Sequence, residues 1–168
     1  MQMTKLFLAE LSKEVERSRR ALTQVPDGKY EWKPHEKSMA FGYLTELVAV
    51  IPSWIAMMVT QDELDVAPAT PQHKPAPMRT SAELLIGLDK AADQARAALE
   101  STTDEFLESS WRLLARGQVV IESPRHEMIR ETFAHLAHHR GQLTVYLRLL
   151  GAKVPALYGP SADENAFK

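Results

Sequence analysis

Thr132-Phe-Ala-His-Leu-Ala-His-His-Arg-Gly-Gln-Leu143 sets two imidazoles, His135 and His139, one helical turn apart. At about 100° per residue, Ile129, Leu136, Leu143, Leu147 and Leu150 form the centre of an apolar stripe. His135 and His139 fall on its flank, with Met128 and Tyr146 close by. His138 lies further round, toward solvent, and Arg140 points away from the stripe centre. The stretch therefore reads as a long amphipathic helix that has to bury one side against other helices. Ser123-Pro124 supplies its start, with Ser123 as N-cap and Pro124 in the first helical position. Gly151 supplies its stop.

Three more segments share the helical period. From about Thr4 to Leu22, Leu6, Phe7, Leu11, Val15 and Leu22 recur every three to four residues, until Val25-Pro-Asp-Gly28 turns the chain. Tyr30-Glu-Trp-Lys-Pro34 reads as an extended connector. A second helix starts near Ser38 and carries Leu44, Leu47, Ile51, Trp54, Ile55 and Met58, with Pro52 predicted to kink it. Gln61 to Met78, rich in proline, is the longest connection. Thr80-Ser-Ala-Glu83 has the form of a capping box and opens a third helix to about Leu99. Between Ser101 and Pro124 the period breaks. Asp104–Trp111 suits a short helical turn, and Gln118-Val-Val-Ile121 a brief extended stretch or hairpin arm. The fold class that follows is all-α: a four-helix bundle in one domain, residues 1–168, with a long connection between helices two and three and an irregular segment before the last helix. The tail from Val154 is expected to lie along the bundle surface.

Bulk properties narrow the function. A net charge of -2 over 168 residues, with acids and bases interleaved, offers no field for nucleic acid. No cysteine is present, which excludes disulfides, thiolate zinc sites and a cysteine nucleophile. The longest apolar stretch, Leu47–Val59, is too short for a membrane span, and the first eleven residues do not read as a signal peptide. A soluble cytoplasmic protein with no nucleic-acid or membrane partner is the expectation.

Chemistry concentrates on the last helix. An i, i+4 histidine pair is how a helix presents two nitrogen ligands to one metal ion. The plainer account is a pair of histidines hydrogen-bonded to their surroundings. There is no His-Glu-x-x-His, no phosphate-binding glycine loop, no dinucleotide fingerprint and no Gly-x-Ser-x-Gly elbow. Trp32, Trp54 and Trp111 read as core anchors, and Trp54 and Tyr146 also as walls of a pocket near the histidines. Arg140 is expected to hold a carboxylate of helix one or three. His35 and Lys37 read as a solvated loop.

Three stretches carry a family likeness: Trp32-Lys-Pro-His-Glu-Lys-Ser-Met-Ala-Phe-Gly-Tyr-Leu44, Ile51-Pro-Ser-Trp54, and Ala134-His-Leu-Ala-His-His-Arg-Gly-Gln-Leu143 followed by Leu149-Leu-Gly151 and Tyr158-Gly-Pro-Ser161. In order and spacing they resemble the DinB/YfiT-like family over nearly the whole chain. The resemblance implies a four-helix bundle holding a divalent metal, zinc or nickel, on three histidines, one from the second helix and two from the last. It also implies a homodimer and a small-molecule substrate. Characterised relatives include transferases and isomerases that use low-molecular-weight thiols such as bacillithiol or mycothiol.

His135 and His139 match the two ligands of the last helix. The position of the third is Leu47, which cannot coordinate. A third donor would have to come from Glu46, His35, His126 or another subunit. Two functions from different classes follow. One is a divalent-metal-dependent enzyme, a thiol S-transferase or a hydrolase-like one, with an incomplete histidine set. The other is a metal-free member that binds a small ligand, with Leu47, Trp54 and Tyr146 as pocket lining, or acts through a dimer surface.

Overall fold

The computed structural model describes residues 2–70 and 76–165. The elements in chain order are α1 (Met3–Leu22), α2 (Phe41–Val50), α3 (Ser53–Thr60), β1 (Glu63–Asp65), α4 (Ser81–Ser101), α5 (Asp104–Leu107), β2 (Ser110–Ala115), β3 (Gln118–Pro124) and α6 (Arg125–Leu149). Four helical arms pack around one core: α1, the bent α2–α3 pair, α4 and α6. The expected bundle is there, and each arm buries most of its periodic apolar side, with Leu6 of α1 left 50% exposed. Leu11 and Leu22 of α1, Leu44, Ile51 and Ile55 of the bent arm, Leu84 and Leu88 of α4, and Ile129, Leu136, Leu143 and Leu147 of α6 are all buried in it.

Pro52 does more than kink its helix. It separates α2 from α3 at an angle of 52°. Proline removes a backbone donor and its ring crowds the preceding turn, so the axis breaks where the hydrogen bond is lost. No single helix among the described residues is long and apolar enough to cross a membrane. The bent pair passes that test by length and composition, and its apolar side chains lie in the bundle core.

Two helix starts differ from the sequence-based expectation. The second arm begins at Phe41 with Ala40 as N-cap, not near Ser38. Phe41 N–H and Gly42 N–H donate back to the carbonyls of Trp32 and Tyr30, so the connector supplies the acceptors and no side-chain cap is used. The last helix begins at Arg125, with Pro124 as N-cap and Ser123 in a strand. Strand pairing continues to the residue before the helix and takes Ser123 out of the capping position. The third start is as read: Thr80 Oγ1 accepts from Glu83 N–H while the Glu83 carboxylate accepts from Thr80 N–H.

The segment before α6 is more regular than its composition suggests. After α5, β2 and β3 form an antiparallel hairpin with a bulge at Leu113/Leu114, and β1 pairs in parallel with β2 to give the order β1-β2-β3. Arg116 (φ 55) and Gly117 (φ 75) make the two-residue turn. Two successive positive φ angles match the twist of a hairpin, and glycine tolerates that region at no steric cost. Asp65 locks the turn to β1: its carboxylate accepts from the N–H groups of Arg116 (3.1 Å) and Gly117 (2.7 Å). β1 lies in the Gln61–Met78 connection, of which residues 71–75 are outside the described part. The small sheet closes one side of a cleft whose other walls are α3 and α6.

Candidate functional site

On α6 the i, i+4 spacing does what helix geometry requires. His135 Nε2 and His139 Nε2 approach to 2.8 Å. His139 is 7% exposed, whereas His135 keeps one edge in solvent and is only partly covered. His139 Nδ1 lies 2.8 Å from Gln142 Oε1, an acceptor, so Nδ1 carries the proton. In the neutral ring His139 Nε2 is then bare and accepts from His135 Nε2–H. Burial, then the neighbouring His139 and His138, hold the His135 imidazole below its ordinary pKa. The Trp54 ring meets His135 edge-on, with centroids 5.2 Å apart.

His135 stands on the wall of a cavity of about 1070 Å³. Trp54, Met57 and Met58 of α3 form one side. Leu64, Val66, Trp111, Leu113 and Ile121 form the sheet side. Met128, Thr132, Ala134, His135 and His138 of α6 complete it, with Glu127, Arg130 and Glu131 at the polar margin. His139 is not on the wall and touches it through His135. An apolar enclosure with a few convergent polar groups is the usual form of a small-molecule site.

The other residues singled out from sequence are dispersed. Trp54 lines the cavity. Leu47 is half-buried against the core and is not among the cavity's lining residues. Tyr146 stacks on Phe41 and meets Trp32 edge-on, and its hydroxyl donates to the Met39 carbonyl at 3.3 Å. Glu46 is held by Met78 N–H and the Tyr30 hydroxyl. His126 faces Glu108 at 3.3 Å. His35, in an exposed loop, accepts from Lys37 N–H. Among the described residues no His, Cys, Asp or Glu adds a third donor to the pair.

That donor set decides the fit to a metal. Two imidazole nitrogens on a tetrahedral ion, with bonds of about 2.0–2.1 Å, stand roughly 3.3 Å apart, so the pair needs only to open slightly. Gln142 holds His139 in the tautomer a ligand needs. A catalytic zinc centre nevertheless takes three protein ligands, and the described residues of this chain bring two. The residues supply two of the three ligands of such a centre and do not complete it.

Sequence reasoning missed the sheet side of the cavity, because its residues come from segments without an unambiguous period. It also gave no sign of how deeply Arg140 is buried. Arg140 is fully buried, and pairs with Glu14 of α1, bonding Ser18 Oγ (3.1 Å) and the Glu14 carbonyl (3.1 Å) as well. Of the two helices the sequence left open for its carboxylate partner, one and three, it is helix one that supplies it. The Tyr158 hydroxyl joins the same pair from the tail.

Comparison with known proteins agrees with this architecture. The chain is 34% identical over 92 residues to the uncharacterized protein YrdA of Bacillus subtilis (strain 168), a match covering 54% of this chain and 52% of YrdA. The chain therefore aligns with about half the length of that relative. Among solved structures, a DinB-like protein from Bacillus cereus ATCC 10987 superposes with a TM-score of 0.70 at 21% identity, over 90% of this chain and 95% of that one. The DinB-like protein YjoA of Bacillus subtilis gives 0.67 at 20% identity, over 89% and 96%. These two likenesses speak for the fold. The sequence profile of the DinB family matches residues 1–166, and the chain belongs to the DinB family.

Proposed function

We propose that this protein binds a small, largely apolar organic molecule in the cleft between α3, the sheet and α6, with the His135–His139 pair as its polar contact. The observation that carries this reading is the cavity of about 1070 Å³, walled by Trp54, Met57, Met58, Trp111 and Leu113 and bearing one imidazole of the pair. A neutral His135 backed by His139 is a hydrogen-bonding group able to hold or pass a proton beside such a molecule. The test is titration of protein labelled at its methionine methyl groups with toluene. Saturable shifts of the Met57, Met58 and Met128 signals are expected, and loss of those shifts in Ala134→Trp, which fills the α6 wall. Signals that do not move, or that move equally in the filled variant, would overturn the proposal.

A second reading is favoured by the convergence of the two Nε2 atoms and by the Gln142 contact. It is a divalent-metal-dependent enzyme of the thiol-transferase or hydrolase-like type, holding zinc or nickel on His135 and His139 with a further donor from the ligand or a second copy of the chain. Metal affinity follows the number of deprotonated ligands held in place, so two imidazoles alone make a weak, exchangeable site. Equilibrium dialysis with zinc and nickel separates the readings. Stoichiometric metal that survives a chelator in wild type and is lost in His139→Ala supports the enzyme. Tight binding that appears only in Leu47→His supports the metal-free ligand-binding protein.

A further inference from the structure

Among the described residues, the charges at the cavity come from one helix. On the sheet side Leu64, Val66, Trp111, Leu113, Ile121 and Ser123 line it. The residues between them along the strands, Asp65, Arg112 and Glu122, are the charged ones. Glu63 stands opposite Arg112, and Arg112 opposite Glu122, in the ladder from β1 to β3. Directly paired residues share a face of a sheet, and neighbours along a strand take opposite faces. That charged ladder therefore lies on the outer face, where Arg112 pairs with Glu63 at 2.6 Å. From α3 come only Trp54, Met57 and Met58. From α6 come Glu127, Arg130 and Glu131, besides the imidazoles. Arg130 pairs with Glu131. Glu127 is exposed and has no ion pair among the described residues. The cavity margin thus carries one carboxylate in excess, on a helix face shared with Glu131 and His135. The first turn of a helix suits a carboxylate in its own right, so the effect of Glu127 on a ligand has to be read from the ligand's charge.

We infer that the cavity selects organic cations, molecules with an apolar body and an ammonium-type group, with the body against Trp54, Met58 and Leu113 and the charge at the α6 margin by Glu127. The inference rests on the ligand-binding reading above and adds the ligand's charge and its orientation. The carboxylate acts through space and needs no fixed contact, so a cation gains at this margin and an anion of similar size loses. The gain is that of an exposed ion pair, a few-fold in affinity.

The experiment titrates protein labelled at its methionine methyl groups with benzylamine, benzoate and toluene at about pH 8, above the ordinary histidine range. The first is a cation there, the second an anion and the third neutral. Benzylamine is expected to bind more tightly than benzoate. The ratio of the two affinities should fall about threefold in Glu127→Gln, with toluene binding unchanged. High salt should narrow the ratio as well. Glu122→Gln removes an equal charge from the outer face of the sheet and should leave the ratio as in wild type. Benzylamine that binds no better than benzoate, or a ratio that Glu127→Gln leaves in place or Glu122→Gln lowers as far, overturns the charge assignment. Toluene shifts that persist in that case leave the cavity reading standing. If toluene shifts no methionine methyl signal, the cavity reading fails and the assignment fails with it.

Discussion

His139 shows how one side chain sets the properties of its neighbour. Gln142 Oε1 accepts a hydrogen bond from its Nδ1–H, which leaves Nε2 as the acceptor for His135. Replacing Gln142 by leucine removes that constraint. Nitrogen-15 shifts of the His139 ring are expected to change from a single Nδ1–H tautomer to a mixture. A ring that keeps its tautomer in the variant would show that another group holds it. His135 adds a pH dependence. Its pKa is lowered in the folded protein by burial and by His139 and His138, against an ordinary value of 6.5. Below that value the unfolded chain takes up a proton that the folded chain resists, so the unfolded state binds more protons. Stability is then present above about pH 6.5 and falls as the pH drops through the range down to the lowered folded value. Urea midpoints at pH 7.5 and 5.5 should differ less in His135→Gln than in wild type.

At the scale of elements, caps and turns do work that the apolar pattern does not. The Thr80–Glu83 box satisfies donors at the start of α4, and Thr80→Ala should lower stability by about 1 kcal/mol, read from chemical denaturation. Asp65 joins β1 to the turn of the β2–β3 hairpin, and the backbone bonds from Ala67, Gly117 and Arg116 hold its carboxyl below the usual range. A carboxyl with a depressed folded pKa stabilises above its unfolded value and loses that contribution as the pH falls through the folded one. Asp65→Asn is expected to speed amide exchange at Arg116 and Gly117 while leaving α1 and α4 unchanged. Uniform acceleration across the molecule would contradict this local role. Because the same sheet walls the cavity, loosening of the turn should also weaken toluene binding.

Over the whole molecule, the Arg140–Glu14 pair joins three parts of the chain. It links α6 to α1, and Tyr158 brings in the tail, which Arg20 also holds through the Ala156 carbonyl at 2.6 Å and the Glu164 carboxylate. Both partners of the pair are nearly inaccessible to water. Removing Arg140 leaves the buried Glu14 to Arg17 and the Tyr158 hydroxyl, so Arg140→Met should cost up to roughly 3 kcal/mol in equilibrium unfolding, the low end for a broken buried pair. The double change Arg140→Met with Glu14→Leu should recover much of that loss, since apolar replacements of a buried pair are often neutral or better. A double variant as unstable as the single one would show that the pair contributes more than its mutual neutralisation. Arg140 immediately follows His139, so this anchor also fixes the rotation of α6 that sets His135 on the cavity wall.

The chain's own order of residues determined the helical arms, because a 3.6-residue apolar period, a capping box, a proline and a terminal glycine are all local signals. It also made His135 and His139 neighbours, since residues four apart share one face of a helix. Tertiary structure decided the rest. Leu64, Trp111, Leu113 and Ser123 come together only when β1 pairs in parallel with a hairpin some fifty residues later, and pairing over that distance leaves no periodic trace in short strands. Arg140 looked peripheral on a wheel drawn for one apolar stripe. It is buried because α1 offers a carboxylate on a second face of the same helix, and a charge enters a core only where its counter-charge is already in place.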